Sequence, residues 1–333
     1  MDPTIRDTDG RGDSARTRRP DRRALITGGA GFVGVNTANH LIKNGWAVTL
    51  LDNLVRPGTE RNLKWILTRY PARVSFVKQD VRNADAIVAH VRDQDAVLHL
   101  AVEVGGTADV DVDPRGTLNV LEAVRAHNHD APVVYMSTSK VYAPLEDRAP
   151  CKETQPLALR GPYASSKGAS DQHMRDYAHR FDMNTVVLRL SSIYGVHQYG
   201  NEDDGWVARF THSILHDRPL TIHGDGKEVR DLLDVRDLSA LCAAVIDKIG
   251  IARGEVYNVG GGGANQSSVL EVGDRIAELT GRQPRYDFAE RREDDAAYYV
   301  SDIEKARLDL GWEPKIGVER GLRDLVAWAE SLR

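Results

Sequence analysis

Short apolar runs recur through the first two-thirds of the chain, each followed by a segment of helical spacing. Ala24–Thr27 is the first, and Ala47–Leu51, Val74–Val77, Ala96–Leu100, Pro132–Met136 and Thr185–Leu190 follow. A continuous apolar run of this length, closed by turn residues, reads as a strand buried on both faces. Between the runs, Phe32–Lys43, Ala84–Val91, Gly116–Ala126 and Ser166–Phe181 carry apolar residues three and four apart, the spacing of an amphipathic helix. Strand–helix alternation predicts right-handed crossovers and a parallel sheet covered on both faces, a Rossmann-like doubly wound α/β fold. After Ser191 the alternation loosens. A strand at Glu255–Val259 and helices at Val269–Leu279, Ile303–Leu308 and Val318–Leu332 are then expected. The pattern divides the chain into a larger domain, 23–190 with 232–260 returning to it, and a smaller α/β lobe made of 191–231 and 261–333. Residues 1–22 mix acids and arginines with almost nothing apolar, which reads as a disordered tail and not as a targeting peptide.

Composition changes this picture little. The chain has 333 residues, 41% hydrophobic and 28% charged, enough to bury a core without a disulfide or metal staple. The formal net charge of −5 argues against a nucleic-acid partner, which wants a basic face. No run of about 18 apolar residues is present, so no membrane span is expected. The two cysteines, Cys151 and Cys242, stand in no ligand spacing. They point to a reducing, cytoplasmic setting and to no metal.

Candidate chemistry begins where the first strand ends. Thr27-Gly28-Gly29-Ala30-Gly31-Phe32-Val33-Gly34 links a strand to a helix. Glycines there permit a tight turn, approach of backbone amides to a pyrophosphate, and close helix–strand packing. The helix start adds N–H donors and a partial positive charge. Three spaced glycines alone say little in a chain with 29 of them. Asp52, at the end of the second strand, strengthens the reading: its carboxylate can accept from both ribose hydroxyls and repels a 2′-phosphate, so NAD is expected over NADP.

A second constellation lies further on. Tyr163 and Lys167 are four apart and share one helix face. A phenol becomes a useful base near pH 7 only if a neighbouring cation stabilises the phenolate, and Lys167 has the reach to do so. The pair follows Ser137-Thr138-Ser139 at the end of the fifth strand, the side on which parallel sheets bind ligands.

These residues together resemble the extended short-chain dehydrogenase/reductase family over nearly all of 23–333. The shared features are the glycine loop (Gly28, Gly31, Gly34), Asp52, Asp80-Val81, His99-Leu100-Ala101, Thr138 and the Tyr163–Lys167 pair. The resemblance implies NAD, held by the loop with Phe32 and Val33 and by Asp52, Asn53, Asp80, Val81, Leu100, Ala101, Tyr163 and Lys167. It implies Thr138, Tyr163 and Lys167 as catalytic residues. It places a nucleotide-diphosphate sugar, CDP- or UDP-linked, against Glu103, Thr138, Ser139, Ser192, Gln198, Arg230 and Arg292. Family members also pair through two helices into dimers, so a homodimer is expected.

Some stretches look like the CDP-paratose (tyvelose) 2-epimerase branch: Asp52-Asn53-Leu54 with Arg56, Gly58, Asn62-Leu63 and Trp65, and Asp204-Gly205-Trp206-Val207 after Gln198. Family 4,6-dehydratases place an Asp-Glu pair after the catalytic Thr, where this chain has Ser139-Lys140. The chain also departs from the branch at Val102-Glu103-Val104 and Ala296-Ala297, where a hexose would sit. The expectation is an epimerase working through a transient keto-sugar. A UDP-sugar 4-epimerase, a nucleotide-sugar decarboxylase and a non-catalytic NAD-binding regulator stand as alternatives. Asp109, Asp111 and Asp113 read as a solvated loop, and Trp65, Trp206 and Trp312 as core or interface aromatics.

Overall fold

In the computed structural model, which describes residues 22–102, 112–145, 147–200, 205–291 and 296–332, strands and helices alternate as predicted. The expected tail lies outside these residues apart from Arg22. β1 (Arg23–Thr27), α1 (Phe32–Lys43), β2 (Ala47–Asp52), α2 (Thr59–Arg69), β3 (Val74–Lys78), α3 (Ala84–Val91) and β4 (Ala96–His99) come first. α4 (Val112–His127), β5 (Val133–Thr138), α5 (Gly161–Phe181) and β6 (Thr185–Leu190) follow. Then come β7 (Ser192–Tyr194), α6 (Trp206–Leu215), β8 (Leu220–His223), β9 (Val229–Asp234), α7 (Val235–Asp247), α8 (Ile249–Ala252) and β10 (Val256–Val259). β11 (Gln266–Ser268), α9 (Val269–Thr280), β12 (Tyr286–Ala289), β13 (Tyr298–Tyr299), α10 (Glu304–Leu310) and α11 (Val318–Glu330) complete the order.

Seven strands form one parallel sheet in the order β10-β6-β5-β4-β1-β2-β3. The winding direction reverses between β1 and β4, which opens a crevice at the carboxyl ends of those strands. Side chains alternate across the sheet as strand geometry requires. Ala24, Ile26, Val48, Leu50, Val134 and Leu188 enter one core with residues of α1, α7 and α10. Leu25, Leu51, Val97, Val133, Tyr135 and Val187 enter the other with α3, α4 and α5. A third core joins β9 to α6, α9 and α11 through Phe210, Ile214, Leu232, Ile276 and Leu322. No helix among the described residues is long and apolar enough to cross a membrane.

The structure differs from the pattern at helix starts. α5 begins at Gly161 instead of Ser166, because Pro162 sits in the first turn, where the missing N–H costs nothing. α4 reaches back to Val112, four residues before Gly116. α2 and α7 are not among the predicted helices. α2 buries only Thr59, Asn62, Leu63 and Ile66, too thin a stripe to stand out.

Candidate active site

One cleft of ≈ 1450 Å³ runs along the carboxyl ends of the large sheet. A pocket for one drug-sized ligand holds about 300–1,000 Å³, so this volume suits two ligands end to end. At one end is the glycine turn. Gly28 has φ +66°, and a Cβ on it would meet the Ala101 nitrogen at 2.7 Å. A Cβ on Gly34 would stand 2.4 Å from the Gly28 carbonyl oxygen. Both positions are therefore closed to any larger residue. Gly31, which has no side chain, is the N-cap of α1, and Phe32 and Val33 of its first turn line the cleft.

Asp52 ends β2 and is buried. Its carboxylate accepts from the Ala30 N–H at 3.1 Å and the Leu54 N–H at 2.8 Å while facing the cleft. Burial pushes its pKa up, and those N–H groups pull against the shift. Asn53 donates to Asp80 at 3.0 Å, and Arg82 holds Asp80 through two bonds of 2.9 Å. The Arg82 guanidinium brings the Asp80 carboxyl down to about 2. Val81, Leu100 and Ala101 complete this wall.

The middle of the cleft is built by β4, β5 and the first turns of α5. Thr138 ends β5, and its hydroxyl accepts from the Lys140 N–H at 3.3 Å. Half-buried Tyr163 and buried Lys167 line the same space, as does Ser139. The Lys167 ammonium donates to the Met136 carbonyl at 2.8 Å and lies 3.0 Å from Asp113. Burial would depress the lysine; the Asp113 carboxylate overrides that and holds it above its ordinary value. His99 sits beneath, bonded to Thr27 at 2.7 Å and Thr117 at 3.1 Å, and burial brings its pKa down to about 3.

The far end belongs to the smaller core. Ser192, Gln198 and Arg230 line it, with Trp206, Arg209, His223 and Tyr298. Trp206 donates its indole N–H to Ser192 at 3.3 Å. Gln198 is buried, and its side-chain carbonyl has no partner among the described residues. Arg230 donates to the Val229 and Ala296 carbonyls at 2.8 and 2.6 Å.

Residues 24–260 match the NAD dependent epimerase/dehydratase family. The chain belongs to this family. It is 34% identical to CDP-paratose 2-epimerase of Salmonella typhi over 93% of this chain and 100% of the relative. Its fold superposes on dTDP-glucose 4,6-dehydratase of Bacillus anthracis in complex with NAD, with TM-score 0.83 and 30% identity over 93% and 97% of the two chains. UDP-glucuronic acid 4-epimerase of Bacillus cereus, in complex with UDP-glucuronic acid and NAD, gives TM-score 0.84 at 26% identity, covering 93% and 100%. Members of the epimerase/dehydratase family are NAD-dependent enzymes, and NAD is the cofactor here. The cradle fits it: a turn closed to a Cβ at Gly28 and Gly34, a helix start with no capping side chain on its N-cap glycine, and a buried carboxylate at the end of β2.

For this family member, the structure brings all the sequence-predicted site residues to one cleft except two. Glu103 and Arg292 lie outside the described residues, as do Asp109 and Asp111. The reading of Asp113 as part of a solvated loop is corrected: it is buried in the first turn of α4 and paired with Lys167. Its signal was present, because buried Asp113, Gly116, Thr117 and Val120 continue one helix face backwards. Trp206 is also more than packing, since its indole reaches into the cleft.

Proposed function

We propose that the protein is an NAD-dependent epimerase of a nucleotide-diphosphate sugar, of the CDP-paratose 2-epimerase kind, working in the cytoplasm as a homodimer. The observation that carries this reading is the meeting of Thr138, Tyr163 and Lys167 with the glycine cradle in one cleft long enough for two ligands. In this reading 23–190 with 232–260 hold the cofactor, and 191–231 with 261–333 hold the sugar nucleotide. NAD, when bound, supplies hydride acceptance and return.

The chain's own residues handle protons and position. Tyr163, as phenolate, takes the proton of the sugar hydroxyl, and Lys167 stabilises that phenolate by its charge. The Thr138 hydroxyl steadies the sugar oxygen while the keto-sugar turns over in the cleft. Gln198, Ser192, Ser139 and Arg230 line the nucleotide-sugar path. Ser139-Lys140 lacks the acid with which family dehydratases eliminate water, which supports epimerisation. The 34% identity to a CDP-sugar epimerase favours CDP over UDP. A UDP-sugar 4-epimerase is the second reading, because it needs the same residues.

Substitution tests the mechanism. Tyr163→Phe keeps the ring but removes the proton acceptor, so turnover falls by roughly 10²–10⁴-fold while NAD binding survives. Full turnover in Tyr163→Phe overturns the assignment. Thr138→Val costs less, with NAD affinity unchanged.

A further inference from the structure

The Lys167 ammonium is enclosed by groups from four elements. Asp113 approaches from α4 at 3.0 Å, and the Met136 carbonyl of β5 accepts from it at 2.8 Å. The Tyr135 ring of β5 lies beneath, 4.8 Å from ammonium to ring centroid. His99 of β4 contributes no charge near neutral pH, being buried and bonded to two threonines. Tyr163 stands one turn back on the same helix. Among the described residues, Asp113 is the carboxylate in contact with Lys167, and Tyr135 donates its hydroxyl to it at 3.4 Å.

Two consequences follow from elementary chemistry. An ammonium has three donors. With one on Met136 and one on Asp113, and the Tyr135 hydroxyl in hydrogen-bonding contact as well, the ammonium is fixed in place at the wall of the cleft, which Lys167 lines. An ammonium beside a phenol favours the phenolate, and a carboxylate on that same ammonium offsets part of the effect. We infer that Asp113 is a positioning residue that holds the Lys167 ammonium at the wall of the cleft and, through its charge, sets the pH range in which Tyr163 accepts a proton. The inference rests on the reading of Tyr163 as base.

Asp113→Asn tests it, because the amide keeps the size and one acceptor while removing the charge. Two readouts are taken on the NAD-loaded enzyme. One is the midpoint of phenolate absorbance, with Tyr163→Phe in each background subtracted. The other is the rising limb of turnover against pH. Both are expected to move to lower pH, by on the order of one unit. Midpoint and limb unmoved, or moved to higher pH, in an Asp113→Asn protein that folds and binds NAD overturn the inference. Should that variant not fold, Tyr135→Phe serves instead. Losing the hydroxyl, which is bonded to both Asp113 and Lys167, leaves carboxylate and ammonium more fully to each other, so both readouts move to higher pH. No movement, or movement downward, overturns the inference. Failure of the base assignment is distinguishable, because it shows as full turnover in Tyr163→Phe, whereas failure of the positioning role leaves Tyr163→Phe inactive and the Asp113 profile unshifted.

Discussion

Beside Ser137 of β5, strand β6 and the helix α5 that carries Tyr163 and Lys167 are locked by a buried ion pair, and breaking it on one side has a calculable cost. Arg189 on β6 and Asp171 on α5 are 2% and 1% exposed. Their bonds, Nε to Oδ2 at 2.8 Å and Nη2 to Oδ1 at 3.1 Å, form a fork. Arg189 also donates to the Tyr142 hydroxyl at 3.0 Å, and Asp171 accepts from Ser137 at 3.0 Å. Arg189→Met leaves the Asp171 charge buried with the Ser137 hydroxyl as its remaining side-chain donor among the described residues. Removing one partner of a buried pair costs about 3–5 kcal/mol, whereas replacing both with apolar groups is often neutral. Thermal and urea unfolding of Arg189→Met are expected to show that loss, a fall in Tm of roughly 4–7 °C for a chain of this length. Arg189→Met with Asp171→Leu is expected to regain most of it. A loss under about 1 kcal/mol in the single variant, or a double variant no more stable than the single, refutes the reasoning.

Three further expectations follow. Gly34→Ala forces a Cβ to 2.4 Å from the Gly28 carbonyl, so α1 must shift off β1; NAD affinity should fall about 10–100-fold by titration, and unchanged affinity contradicts the cradle. His99 has a native pKa of about 3 against an ordinary 6.5, so the unfolded chain binds the extra proton between those values. Stability from this group is complete above about pH 6.5 and is lost as pH falls toward 3; His99→Gln should flatten the urea-stability profile in that window, and an unchanged slope counts against it. Light scattering at micromolar concentration should give the mass of a dimer, and a monomer mass removes the proposed assembly.

Much of the large sheet is legible in the chain because both its faces are covered. Residues 24–26 are apolar on successive positions, since Ala24 and Ile26 serve one core and Leu25 the other. The same holds for β5 and β6. The smaller core is harder to read because its strands are short and its sheet mixes directions: β9 pairs in parallel with β7 and β13 and antiparallel with β11. Glycine loop, Asp52 and the Tyr163–Lys167 pair are local motifs and can be found by spacing. Asp113 with Lys167, and Asp171 with Arg189, are not, because the partners lie on different elements and only the folded sheet brings them within bonding distance. An acid beside valines reads as a loop until the helix is seen to begin earlier.

The central claim is that this family member inverts one carbon of a nucleotide sugar and returns the substrate otherwise intact. The direct measurement is incubation of the purified protein, with NAD, with CDP-, UDP- and dTDP-sugars in turn, followed by NMR of the products. The account predicts an equilibrium mixture of two epimers with a CDP-sugar, formed without net consumption of NAD. A 4-keto-6-deoxy product, a decarboxylated sugar, or no conversion across the panel contradicts it.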